Sequence, residues 1–353
     1  MRTNKVRGLS IISAAVLLAS CASTEDPPRS KFDLSNWKIT IPLDRDGNGK
    51  ADDISTKDLQ TYQHPDFFYT DEDENLVFAA PNKAVTTATS SNTRSELRQM
   101  LRGFDTSIGT KSYGNNFALA AHPEASFFGS IGGKLEATLR VNHVAKNAKN
   151  PKRPAYSVVV GQIHAGKDKD LIAEGNGFGY GNEPIKVYYK KWPQHDTGSV
   201  FWTYERNLEK DNPDRTDIAY PVWGNTWENP EDPKDKGIKL GEEFSYTINV
   251  HESVMYLTFT STNKETVNYQ IDLSNNIDAY GQVDEKDHPQ GYSGDWHYFK
   301  AGAYNQCSTK DAPGMWYAAC DGTGIWETDK ANGDYVSVTF SKIELSESTP
   351  PNK

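Results

Sequence analysis

The stretch KLEATLRVNHV, residues 134–144, alternates without a break: Leu135, Ala137, Leu139 and Val141 fall on one face of an extended chain, and Glu136, Thr138, Arg140 and Asn142 on the other. Side chains of a strand alternate with a period of two, so this spacing predicts a strand with one face in a core and the other toward water. The pattern returns in FSYTINVHESVMYLTFTS (244–261), read as two strands about a turn at His251-Glu252-Ser253, and in DYVSVTFSKIEL (334–345). Helical periodicity is scarce, while 27 glycines and 18 prolines supply turns. An all-β sandwich follows, in one domain over 32–346, because neither an internal repeat nor a polar linker divides the chain.

The N-terminus predicts the compartment. MRTNKVRGLSIISAAVLLASC has a basic start, a short apolar run and then Leu18-Ala19-Ser20-Cys21, the layout of a secretory signal over 1–20 that is too short to span a membrane. Its last four residues resemble a bacterial lipobox. That resemblance implies a lipidated Cys21, with palmitate among its acyl chains, and Ala22 after it favours the outer membrane. Residues 21–31 then read as a flexible tether, and 347–353 as a disordered tail.

Removing the signal shifts the net charge from −10 to −13. Such a field argues against nucleic acid or an anionic membrane surface as a partner, so the lipid is the expected membrane contact. A monomer is expected. Beyond Cys21 there are only Cys307 and Cys320. In an exported chain these either pair, closing a loop of about fourteen residues, or stay as two free thiols.

Certain strands carry chemistry where a core strand has none. In YSVVVGQIHAG (156–166), alternation puts Gln162 and His164 in step with Val158 and Val160. In NTRSELRQM (92–100), Arg94, Glu96 and Arg98 share a face, an arrangement in which Glu96 holds two guanidinium forks toward a carboxylate. In HYFKAGAYNQ (297–306), Tyr298, Lys300, Tyr304 and Gln306 lie opposite the small residues Ala301 and Ala303. IKVYYKKWP (185–193) aligns Lys186, Tyr188, Lys190 and Trp192, cations alternating with rings that suit a chain of anionic sugars. The segment 207–237, rich in Pro, Asp and Asn, reads as a long ordered loop beside a site.

RSELR (94–98), QIH (162–164) and YFKAGAYNQ (298–306), in that order and after NWKITIPLD (36–44), resemble the signature blocks of the polysaccharide lyase family 7 alginate lyases. The resemblance implies a concanavalin A-like β-jelly roll with a concave groove. It also implies a poly(guluronate)/alginate lyase that cleaves alginate or oligoalginate by β-elimination. Tyr298, His164, Gln162 and Arg98 would be the catalytic residues. Arg94, Glu96, Lys300, Tyr304, Gln306, Lys186, Tyr188 and Lys190 would bind substrate. Arg98, Gln162 and Arg94 suit a carboxylate that must be neutralised before the C5 proton can leave. His164 and Tyr298 suit the proton transfers. By analogy with the family, His164 is the base and Tyr298 the acid on guluronate, and Tyr298 serves as both on mannuronate. Isoleucine inside the QIH block points to guluronate or mixed blocks.

This chemistry requires no metal or cofactor. DRDGNGKADDIS (44–55) spaces Asp44, Asp46, Asn48 and Asp52 like a calcium loop, but Ser55 stands where a bidentate Glu is expected. An acidic turn is therefore preferred to a structural calcium. Two other readings remain: a tethered protein that holds alginate without cutting it, and a lyase for another uronan such as glucuronan. If the 207–237 segment walls off one end of the groove, exolytic action is favoured.

Overall fold

The computed structural model describes residues 1, 31–149, 153–227, 229–313 and 315–351. The signal segment, Cys21 and nearly all of the tether lie outside the described residues.

The described chain is built from β1 (Trp37–Ile41), β2 (Asp52–Ile54), β3 (Phe68–Thr70), β4 (Leu76–Pro81), β5 (Asn92–Gln99), β6 (Phe117–Ala118), β7 (Ser130–Ile131), β8 (Gly133–His143), β9 (Ser157–Lys167), β10 (Ile185–Lys190), β11 (Ser199–Glu205), β12 (Asp217–Trp223), β13 (Glu243–His251), β14 (Val254–Ser261), β15 (Lys264–Asp272), β16 (Asp295–Ser308) and β17 (Tyr335–Ser346). Two sheets form. One runs β12-β11-β10-β9-β16-β5-β1-β2, with β6 and β7 attached beside β16; the other runs β15-β14-β13-β8-β17-β4-β3. The all-β sandwich expected from the alternation is present.

The core lies between the sheets. Leu135, Ala137, Leu139 and Val141 of β8 are buried, and the residues between them are not, as the alternation requires. Against them the first sheet sets Val158, Val160, Ile163, Phe299, Ala301 and Ala303. Each large apolar side chain buried there contributes about 1.5–3 kcal/mol relative to exposure. The motif strands differ from β8 because β5, β10 and most of β16 are buried on both faces. Their polar faces are covered by the loops that build the groove.

Two expectations are corrected by the fold. Val158 and Val160 do not share a face with Gln162 and His164. The ladders of β9 with both β10 and β16 shift register between Val159 and Gly161, and the extra step reverses the alternation. The valines therefore point into the core while Gln162 and His164 point out. Gly161 fits the turnover, since a Cβ there would lie 2.3 Å from the Tyr246 hydroxyl, which donates to the Val160 carbonyl oxygen over 3.0 Å. The 207–237 segment is not one loop, because it contains β12, the edge strand of the groove sheet. Pro221 sits in that edge strand, where a proline costs the sheet least.

Several carboxylates of the 44–55 stretch are hydrogen-bonded within it. Asp44 accepts the backbone N–H groups of Asn48 and Gly49, and Arg45 pairs with Asp52 over 2.6 Å. Ser55 caps the short helix Thr56–Leu59 by accepting from the Asp58 N–H. Carboxylate oxygens of Asp44, Asp46 and Asp52 lie within 4.8 Å of one another.

Candidate active site

Strand register brings the separated motifs together. Arg98 of β5 pairs with Lys300 of β16, Lys300 with Gln162 of β9, and Gln162 with Lys186 of β10, giving one row across four strands. On either side of that row, Tyr298 pairs with His164, Glu96 with Gly302, and Arg94 with Tyr304. Arg94, Arg98, Gln162, His164, Lys186, Tyr298, Lys300 and Tyr304 line a groove of about 620 Å³ on the outer face of the first sheet, while Glu96 is buried and does not line it. Gly302, at φ +146°, allows β16 to approach β5, since a Cβ there would lie 2.5 Å from the Ser95 carbonyl oxygen.

Glu96 is the buried anchor of the groove floor. It receives the Gln162 amide N–H over 2.5 Å and Arg94 Nη1 over 3.1 Å, and it pairs with the Lys300 ammonium. Burial pushes its carboxyl toward protonation, but Lys300 and Arg94 more than offset this and hold it below the usual range. The amide of Gln162 is thereby oriented with its N–H on Glu96. Arg94 also donates to the Ser90 hydroxyl over 3.0 Å and lies 3.9 Å over the Tyr304 ring, while its Nε is buried without a partner. Such a fork, fixed on one edge and unpaired on another, is suited to a carboxylate ligand. Burial lowers the Lys300 ammonium to about 8, although Glu96 supports its charge.

The expected pairing of Arg98 with Glu96 is corrected. Arg98 turns away from Glu96 and donates to the carbonyl oxygens of Gln99 and Thr110 and to Asn116 Oδ1, over 2.6, 3.0 and 2.6 Å. Its guanidinium lies 4.0 Å from the centre of the Tyr298 ring. It is therefore placed beneath the tyrosine, and Lys300 takes the place on Glu96 that the sequence pattern assigned to it. Burial pushes the Tyr298 hydroxyl up to about 12, with Arg98 pulling the other way.

Tyr298 and His164 stack with centroids 5.4 Å apart and planes 7° from parallel. The His164 side chain keeps 32 % exposure, so the groove reaches it. Its Nδ1 lies 2.6 Å from the Ala165 carbonyl oxygen, which fixes a proton on that nitrogen, and its Nε2 lies 3.3 Å from Glu183 Oε1. Burial lowers the imidazole's proton affinity; Glu183 opposes this and Lys300 adds to it.

Besides the buried Glu96, three residues expected in the groove are placed elsewhere. Tyr188 is fully buried, stacked on Phe201 and edged by Trp227. The Lys190 ammonium is held by the carbonyl oxygens of Arg153 and Ala155 and lies 4.5 Å over Trp192. Gln306 is buried, its amide donating to the Tyr304 carbonyl oxygen. Trp227 covers Tyr188 and the 153–155 segment holds Lys190, so Lys186 is the residue of this face of β10 that lines the groove, and Tyr304 is the last of β16 to do so.

Other groove residues had no signal in the motifs. Lys186 sits among Glu183, Glu205 and Asp217 at 3.3, 3.4 and 3.3 Å, and Arg215 pairs with Glu205 over 2.7 Å. Three acids around one lysine hold its charge well above the usual value despite burial. Trp316 and Tyr317 enter from the loop closed by the Cys307–Cys320 disulfide, which is formed. The spacing of the two cysteines was the available hint that this loop is fixed.

The chain resembles known proteins along most of its length. The sequence model of a family described as alginate lyase matches residues 32–347. An alginate lyase of Klebsiella pneumoniae is 35% identical over 312 residues, 86% of this chain and 92% of that one. The crystal structure of the alginate lyase from Klebsiella pneumoniae aligns with a TM-score of 0.70 at 32% identity, over 92% of this chain and 99% of that one. That of the exolytic PL7 alginate lyase from Zobellia galactanivorans gives 0.72 at 34% identity, over 93% and 99%. The two-sheet architecture is accordingly the β-jelly roll that the motifs implied.

Proposed function

The chain belongs to the alginate lyase family, and from that premise we propose that it cleaves the 4-O-glycosidic bond of alginate by β-elimination. The observation that carries the proposal is the convergence of Arg94, Gln162, Lys300, His164 and Tyr298, from three strands, on one face of one groove. Arg94, Lys300 and Gln162 meet the uronate carboxylate and withdraw charge from it, which acidifies the C5 proton. A base takes that proton, the C5–H electron pair becomes the C4–C5 double bond, and the C4–O bond breaks. The departing oxygen takes a proton from an acid. Each proton transfer to a placed side chain is worth about 10²–10⁴ in rate. On guluronate the base is His164 and the acid Tyr298; on mannuronate Tyr298 fills both roles. No step draws on a metal or cofactor.

We assign a preference for guluronate or mixed blocks. Ile163 supports it indirectly, since its side chain is buried in the core between Gln162 and His164 and acts through the packing that sets their spacing. Exolytic action is supported by Trp316, Tyr317 and Arg215 at the groove walls, and by the likeness to a relative described as exolytic. The LASC sequence supports export and a lipid anchor on Cys21, and we assign the catalytic domain as a monomer outside the membrane.

Initial rates on polyguluronate, polymannuronate and glucuronan, with product sizes followed over time, test these assignments together. The expected result is fastest turnover of guluronate-containing alginate and small products from the first time points. A rapid fall in viscosity before small products form would replace exolytic with endolytic action.

A further inference from the structure

His164 has an oxygen close to each ring nitrogen. The Ala165 carbonyl oxygen takes the Nδ1 proton, and Glu183 Oε1 lies 3.3 Å from Nε2 as a charge contact rather than a hydrogen bond. A carboxylate at that distance is attracted by a protonated ring and not by a neutral one. Glu183 is held where it stands. Its other oxygen is 3.3 Å from the Lys186 ammonium, its backbone N–H donates to Glu205 over 3.3 Å, and its neighbour Asn182 donates to the Leu208 carbonyl oxygen over 2.8 Å.

Tyr298 and Lys300 on β16 and Arg94 on β5 also face the imidazole, and the buried His297 of β16 lies within electrostatic reach of it. The two cations disfavour a charged ring, and so does burial. Glu183 is the carboxylate that opposes them.

We propose that Glu183 is a positioning residue for His164: it anchors the Nε2 edge of the ring and favours a proton there, so it sets the pH at which His164 becomes available as a base. Once the Nε2 proton has left to solvent, the lone pair accepts the C5 proton of the sugar. Glu183 then faces the imidazolium it stabilises. The inference rests on the lyase reading of the groove, and it adds a residue that none of the three sequence blocks contains.

The test is the pH dependence of kcat/KM on guluronate-rich alginate for the full chain and two variants. Glu183→Gln removes the charge and moves the acidic limb to lower pH by about one unit, a tenfold change in proton affinity. Glu183→Asp keeps a carboxylate near Lys186 but draws it back from Nε2, and gives a smaller shift in the same direction. An acidic limb unmoved in both variants, with only the plateau rate reduced, would reduce Glu183 to a brace for Lys186 and overturn the inference. If Glu183→Gln does not fold, the Glu183→Asp limb decides alone, a shift to lower pH supporting the inference and an unmoved limb overturning it. A parent protein that forms no unsaturated product would instead defeat the lyase reading itself.

Discussion

Tyr298 and His164 are directly opposed across the ladder of β16 and β9, their rings 5.4 Å apart and within 7° of parallel. This cross-strand pair places the two groups proposed for proton transfer side by side in the groove. Glu96 and its three polar partners lie in the adjoining rows. Division of the chemistry between proton transfer and carboxylate neutralisation thus follows from strand register.

Tyr298→Phe removes one hydroxyl and leaves the ring stacked on His164 and Arg98. Activity falls by about 10²–10⁴. Because the ring packing is retained, the thermal unfolding midpoint shifts by no more than about 2–4 °C, the size of a change of about 1 kcal/mol. Initial rates and a melting curve on the same preparation check both halves.

Glu96→Ala leaves Lys300 and Arg94 buried without their carboxylate. Removing one partner of a buried ionic group costs about 3–5 kcal/mol, so chemical denaturation shows a lower midpoint with little change in slope. The carboxyl is held below its ordinary range when folded. Its stabilisation is therefore complete above the unfolded carboxyl value and is lost as pH falls through the folded one. The parent loses stability in acid in part through this group, and Glu96→Ala flattens that loss.

Lys300 gives opposite signs for stability and activity. Burial lowers its folded value to about 8, so between there and its higher unfolded value the unfolded chain binds more protons. This group's cost to folding is full below about 8 and is relieved as pH rises. Neutralisation of the substrate carboxylate needs the charged form, so kcat/KM declines through the same window. A pH profile of activity beside one of stability shows the divergence, and Lys300→Arg carries the alkaline limb upward.

Replacing Cys307 and Cys320 together by Ala opens the loop that carries Trp316 and Tyr317. Closing a loop of this length is worth about 3 kcal/mol in the chain-entropy model, so the unfolding midpoint falls. KM rises more than kcat falls, since the loop forms a groove wall and holds neither proton-transfer group. Steady-state kinetics of the variant against the parent measure the split.

Much of this site could be read from the chain alone, because local alternation survives in the strands that carry it. Arg94 on β5, and Tyr298, Lys300 and Tyr304 on β16, line the groove as their spacing requires, and Glu96 shares their face while staying buried. Alternation failed at Gly161, where a register shift turned Val158 and Val160 to the opposite side from Gln162 and His164. It also gave no account of what covers a strand, so Tyr188 and Lys190 were placed in a groove that they lie outside. Arg98 was assigned to Glu96 because both lie on one face, yet Asn116, from the segment before β6, offers it a neutral acceptor and Lys300 offers Glu96 a closer cation. Glu183 is invisible for a related reason. Its role depends on the β9–β10 register, which pairs Ile163 with Ile185 and so carries residue 183 past His164.

Elimination at this groove is tested most directly by measuring reducing ends and ultraviolet absorbance together as alginate is consumed. Elimination gives one conjugated double bond for every new reducing end, and both signals are lost together in Tyr298→Phe. Reducing ends without absorbance would mean hydrolysis, and neither signal, with alginate still bound, would mean that the groove holds the polymer without cutting it.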